Sequence, residues 1–147
     1  MSIKISTGFR DHMLQTGDLQ SALDGGVIRI YAGTEPATAD AAISGPTLLC
    51  IISNNDTGTG ITMAASSSAG VLGKNASEVW SGTILANGTA AFYRFSPTTD
   101  DLSLSTSIKR LQGSVGLVGA DLVFSSVAFV APNLKSIDSF FLAIPTA

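Results

Sequence analysis

The sequence predicts an all-β fold: an antiparallel, jelly-roll-like β-sandwich with a short helical segment at its N-terminus. Three observations predict it. Short apolar runs alternate with small polar punctuation from residue 26 onward. Within those runs the apolar positions repeat every two residues, and β-branched and aromatic types dominate. No helix-length periodic segment lies between the runs, which argues against parallel βαβ units and leaves the strand spacing of sandwiches and jelly rolls.

At 147 residues the chain fits a single domain, read as a helical segment over 1–25 and a sandwich over 26–147. A domain of this size buries about 68–70% of the surface its unfolded chain exposes, enough for a core without covalent staples. In the first segment Phe9, Met13 and Leu14 share one helical face, and Leu19, Ala22 and Leu23 a second. Thr7 is placed to cap the first helix and Thr16 or Asp18 the second. Gly17 separates them, and Gly25-Gly26 stops the second.

The period then changes to two. In Val27-Ile28-Arg29-Ile30-Tyr31, Ile28 and Ile30 face one side and Val27, Arg29 and Tyr31 the other. Residues 34–47 read as an irregular connection. Leu48–Ser53 is a short apolar strand, and residues 54–60 form a polar loop. Residues 61–76, rich in Ala, Ser and Gly, read as weak strand or loop. Glu78–Thr83 carries Trp80, the single tryptophan, as a core anchor. Asn87-Gly88 is the strongest hairpin signal, because both residues tolerate positive φ. It is expected to join residues 83–86 to residues 89–95. In that second arm Ala90, Phe92 and Arg94 alternate with Ala91, Tyr93 and Phe95, so burial in the core is the default for the rings. Residues 97–101 break the sheet. Strands follow over 108–116, 122–125, 127–131 and 137–144, giving seven to nine in all.

Composition narrows the function classes. Charged residues are 13% of the chain, about half of the usual ~25%. Such a surface suits a protein packed against neighbours. Net charge is −3, and the eight basic residues are scattered, with Lys109-Arg110 the one adjacent pair. Direct nucleic-acid binding needs a basic stripe, and none is visible. No apolar run reaches the ~18 residues of a membrane span, and Met1–Ile5 lacks the apolar stretch of a signal peptide. No membrane partner is therefore expected, and the chain is read as made in a cytoplasm. Asn55-Asp56-Thr57, Asn75-Ala76-Ser77 and Asn87-Gly88-Thr89 match the glycosylation pattern but, without a secretory route, read as polar turns.

Reactive groups are few. Cys50, the one cysteine, sits inside Leu48-Leu49-Cys50-Ile51-Ile52 and reads as a buried small hydrophobe. His12 is the one histidine; beside Asp11 it reads as a surface residue. A serine hydrolase needs a base and an orienting acid, and no Gly-x-Ser-x-Gly elbow is present. A zinc set cannot be assembled in the usual way. Asp56 alone does not make a calcium loop, and Asp100-Asp101 read as solvated turn residues. Gly70–Asn75 has the wrong spacing for a phosphate loop. Glu35 and Glu78 keep a two-carboxylate glycosidase formally open, without support from spacing. No catalytic, metal or cofactor residues are assigned.

Several segments taken together resemble a known group. These are Ser6–Arg10 with Leu19–Leu23, then Gly26–Asp40, then Trp80-Ser81-Gly82 leading to Gly88–Phe95, and later Gln112–Gly116 with Gly119–Leu122. The chain resembles small virion proteins of tailed bacteriophages, the capsid cementing or decoration subunits, from about residue 6 to residue 144. The motifs are structural. The resemblance implies a jelly-roll-like sandwich on the capsid exterior that dimerises or trimerises and binds the major capsid protein. An alternative from another class is a carbohydrate- or receptor-binding module on a tail or fibre, with Tyr31, Trp80 or Tyr93 as an exposed platform. A third is an enzyme built on Glu35 and Glu78.

Overall fold

A computed structural model of the chain describes residues 3–144. Its strands are β1 (Lys4–Ile5), β2 (Gly26–Ala32), β3 (Thr47–Asn54), β4 (Val71–Gly73), β5 (Trp80–Thr83), β6 (Gly88–Thr89), β7 (Phe92–Pro97), β8 (Leu111–Gly116), β9 (Leu122–Val123), β10 (Ala128–Phe129), β11 (Leu134–Ile137) and β12 (Phe141–Ala143). The helices are α1 (Thr7–Asp11) and α2 (Leu19–Leu23), joined through a π-helical turn over His12–Thr16.

The all-β, antiparallel class holds. One large sheet runs β1-β8-β7-β2-β3-β5-β11, with β9 also on β8. The facing layer is two ribbons, β4–β12 and β6–β10, rather than a second broad sheet. Long connections bring non-consecutive strands together, as β2 beside β7 and β5 beside β11. β9 lies parallel to β8, an exception to the antiparallel expectation. It is reached by the tight turn Leu117–Asp121, in which Asp121 accepts from the Ser114 N–H.

The two faces of the large sheet have different chemistry, as the alternation in β2 and β7 requires. Ile28, Ile30, Cys50, Ile52, Trp80, Tyr93, Phe95 and Leu111 point into the apolar core. The β4–β12 ribbon covers them through Phe140, whose ring meets Trp80 at 5.6 Å, Phe95 at 6.1 Å and Tyr93 at 6.4 Å between centroids. Such tilted and edge-on contacts suit aromatic quadrupoles. Arg29, Tyr31, Phe92, Arg94 and Gln112 occupy the opposite face and are also buried.

Several expectations are corrected. The N-terminal segment is not only helical: Lys4 and Ile5 form a strand on β8. The first helix is capped by Ser6, whose Oγ accepts from the Phe9 N–H at 3.1 Å, while Thr7 bonds Asp40. Asp18 caps α2 in a reciprocal box with Ser21. Met13 and Leu14 are exposed while Phe9 is buried, because the π-helical turn shifts them off the Phe9 face. Asn87-Gly88 is not a hairpin turn. Gly88 pairs with Phe129, and Asn87 Oδ1 accepts from the Ala131 N–H. The glycine serves close packing instead, since a Cβ there would lie 2.9 Å from Leu49 Cδ2. The expected strand over 137–144 divides into β11 and β12, because Ile137 and Phe140 both face the core across an odd spacing that one strand cannot supply.

Candidate functional site: an open sheet face and edge

The second face of the sheet is covered over most of its width and opens toward its β11 end. The covered part is a polar layer. Arg29 donates to Ser96 Oγ at 3.1 Å and to Thr98 O at 3.2 Å. Arg94 donates through Nε to Gln112 Oε1 at 3.1 Å, and Gln112 donates to Pro36 O at 2.9 Å. Arg110 holds Asp100 through two bonds and also donates to Ala39 O, Asp40 O and Ser103 O. These arginines stitch the connections over 33–46 and 97–110 onto the sheet. Arg110 satisfies three main-chain carbonyls and Arg29 one, while Arg94 acts through Gln112, which bonds Pro36 O; irregular chain would otherwise bury these carbonyls unpaired.

Electrostatics within the layer follow from burial. Burial by itself would raise the Asp100 carboxyl, but hydrogen bonds from Arg110 and the Leu102 N–H outweigh it and hold it below 3.8. Burial, then the nearby Arg110 charge, press the Arg94 guanidinium down to about 10. Arg94 Nη1 and Tyr31 Oη have no hydrogen-bond partner among the described residues.

The open part lies over Leu85 and β11; on β3 and β5 the same face holds Ser53 and Ser81 buried and Ile51 and Thr83 half-buried. Registers place Arg29 opposite Ile51, Ser53 opposite Ser81, and Thr83 opposite Leu134; the Cys50–Ile84 bridge sets Ile51 beside Thr83. One row therefore runs Arg29, Ile51, Thr83, Leu134 across the sheet. It is buried at Arg29 and 64% exposed at Leu134. Leu85, at 58% exposure, shares a shallow depression of about 260 Å³ with Ile51 and Thr83. Asp56 borders it; in the left-handed region with φ 56°, it accepts from the Thr83 N–H and hydroxyl. Beyond Leu134 the β11 edge has no strand partner among the described residues. At the far end of the sheet Leu117 and Val118 extend from β8 into solvent, with Val118 87% exposed.

The residues singled out from sequence fall as follows. Cys50 is buried, and burial pushes its thiol up to about 12. His12 lies near the surface with Nε2 2.9 Å from Ser21 Oγ. Glu35 pairs with Lys4 at 2.8 Å. Glu78 accepts from the Thr62 N–H and from Trp80 Nε1. The two glutamates sit at opposite ends of the eight-residue β3, a span of about 23 Å at ~3.3 Å per residue. They cannot act on one bond. Tyr31, Trp80 and Tyr93 are buried and form no exposed platform. Tyr93 and Phe95 enter the main core, while Phe92 stacks on Tyr31 across the sheet at 5.0 Å. Gly70, with φ 77°, belongs to the turn into β4. Asp100, expected in solvent, is buried against Arg110, whereas Asp101 is exposed.

Sequence reasoning missed the Asp100–Arg110 pair and the β11 edge. A partial signal existed for the polar layer: Arg94 alternates in phase with Ala90 and Phe92, which marks a second covered face. No group of three or more His, Cys, Asp or Glu among the described residues is arranged to hold a metal ion. No helix among them is long and apolar enough to cross a membrane. No known protein family, curated protein or solved structure matches the chain.

Proposed function

We propose that this chain is a structural virion protein of a tailed bacteriophage, a cementing or decoration subunit. In this reading it binds the outer surface of the major capsid protein shell, associates with itself as a dimer or trimer, and stabilises the shell. The observation that supports it most is the uneven cover of the second sheet face. One side is sealed by an arginine-stitched layer, while Leu85 and Leu134 stay in solvent, with Ile51 half-buried between them and the sealed part, beside a strand edge that has no partner among the described residues. Apolar side chains grouped next to open main-chain edges are what a docking subunit presents. Modest contacts repeated by shell symmetry then add up to avidity.

The test mixes the purified chain with undecorated capsids assembled from the major capsid protein of the same genome. Co-sedimentation at saturable stoichiometry, with a raised temperature of capsid disruption, is the expected result. A chain that stays in the supernatant at every ratio overturns the reading.

A further inference from the structure

Leu122–Ser125 and Leu134–Ser139 line one groove of about 410 Å³. Both walls are strand edges. β9 pairs only with β8 and β11 only with β5 among the described residues. The hydrogen-bond phase shows which main-chain groups face the groove. The Ile84 N–H donates to Asn133 O at 2.8 Å, so Asn133, Lys135 and Ile137 turn their backbone toward β5. Leu134, Ser136 and Asp138 turn theirs away, into the groove. On the other wall the Phe124 N–H donates to Gly116 O, which turns Val123 away from β8. Each wall therefore offers donors and acceptors in strand geometry to whatever lies between them.

The side chains limit what that is. Lys135 and Asp138 are the charged residues of the lining. Their charges cancel, and Lys135 is already engaged: its Nζ donates to Ser126 O at 3.1 Å and sits 4.8 Å and 5.0 Å from the Phe124 and Phe129 ring centroids. A neutral lining built on main-chain groups does not select a charged ligand. It fits an uncharged extended peptide, which bonds to both edges through its own backbone. The four residues of β11 set the length engaged at about 13 Å.

We infer that the β9–β11 groove receives an uncharged extended segment of a shell subunit as an added strand, bridging the two ends of the curled sheet. This rests on the shell-binding reading above and specifies its contact. The partner's strand is held mainly by hydrogen bonds to Leu134 and Ser136 on one side and Val123 on the other. Side-chain specificity comes second.

Hydrogen exchange on the full chain, free and bound to the same capsids, tests this. The amides of Leu134, Ser136 and Val123 are expected to slow by about tenfold or more on binding, as newly paired strand amides do. Ser136→Pro removes a groove-facing donor and leaves the β5 side intact; it is expected to weaken co-sedimentation about tenfold at an unchanged melting temperature. Capsid binding with those amides still exchanging at the free rate overturns the groove and leaves the shell-binding reading standing. Absence of binding by the unmodified chain overturns both. Should Ser136→Pro fold poorly, the exchange experiment on the unmodified chain decides alone.

Discussion

Arg110 and Asp100 form a two-pronged ion pair with both side chains withdrawn from solvent, Nη2 to Oδ1 at 2.6 Å and Nε to Oδ2 at 2.8 Å. The pair ties the connection after β7 to the start of β8 and carries the connection over 33–46 with it through Arg110's bonds to Ala39 O and Asp40 O. Removing one partner leaves an unpaired buried charge, which costs about 3–5 kcal/mol. Asp100→Asn and Arg110→Met are each expected to lower the unfolding free energy by that amount in urea titration. A midpoint within error of the unmodified protein contradicts this.

The same carboxyl gives a pH dependence. Its folded value lies below 3.8, so the folded state binds its proton less readily than the unfolded chain. The stabilisation is present above 3.8 and is lost as pH falls through the folded value. Stability measured from pH 6 downward is expected to decline below about pH 4, and the decline is expected to be shallower in Asp100→Asn. Parallel curves for the two proteins count against the assignment.

Arg94 and Gln112 should behave as a coupled unit. Gln112→Leu removes the acceptor that Arg94 uses and leaves a buried cation without that hydrogen bond, at about 1.5–3 kcal/mol. Arg94→Met added to Gln112→Leu replaces both polar groups with apolar volume and is expected to recover most of that loss. The double-mutant cycle in urea reports the coupling. Additive losses refute it.

Two glycines should differ sharply on conversion to alanine. A Cβ at Gly82 would lie 2.0 Å from Ile51 O, a main-chain atom fixed in the adjacent strand. Gly82→Ala is expected to destabilise by more than about 3 kcal/mol, because backbone has to move. At Gly88 the nearest atom is Leu49 Cδ2, the tip of a side chain that can change rotamer. Gly88→Ala is expected to cost about 1–2 kcal/mol. Equal costs in thermal melts would show that this contrast is wrong.

Cys50 should be inert until the sheet opens. Its thiol is buried and raised to about 12, so at pH 8 little thiolate exists and none is accessible. A disulfide reagent in excess is expected to label the native protein no faster than it unfolds, and the denatured protein at once. Rapid labelling under native conditions would contradict the burial.

The strands carrying the core were legible because alternation is a local property. Ile28 and Ile30 against Arg29 and Tyr31, and Tyr93 and Phe95 against Phe92 and Arg94, could be separated by counting in twos. The Asn87-Gly88 signal failed because a dipeptide that permits a tight turn also permits close packing, and Leu49 settles which is used. Asp100 was unreadable for a related reason. Its burial depends on Arg110 arriving from another segment, and a carboxylate beside a second carboxylate in a polar stretch otherwise belongs in water. The open edge was invisible, since an unpaired strand has the same sequence as a paired one.

By itself the sequence determined a β-rich chain with one apolar face and one mixed face on its central strands, since side-chain direction follows residue number along a strand. Tertiary structure decided which strands are neighbours, that the mixed face is sealed by arginines and opens only toward β11, and that β9 and β11 line a common groove. Pairing and cover are long-range outcomes: each depends on segments tens of residues apart meeting through main-chain groups that every residue shares.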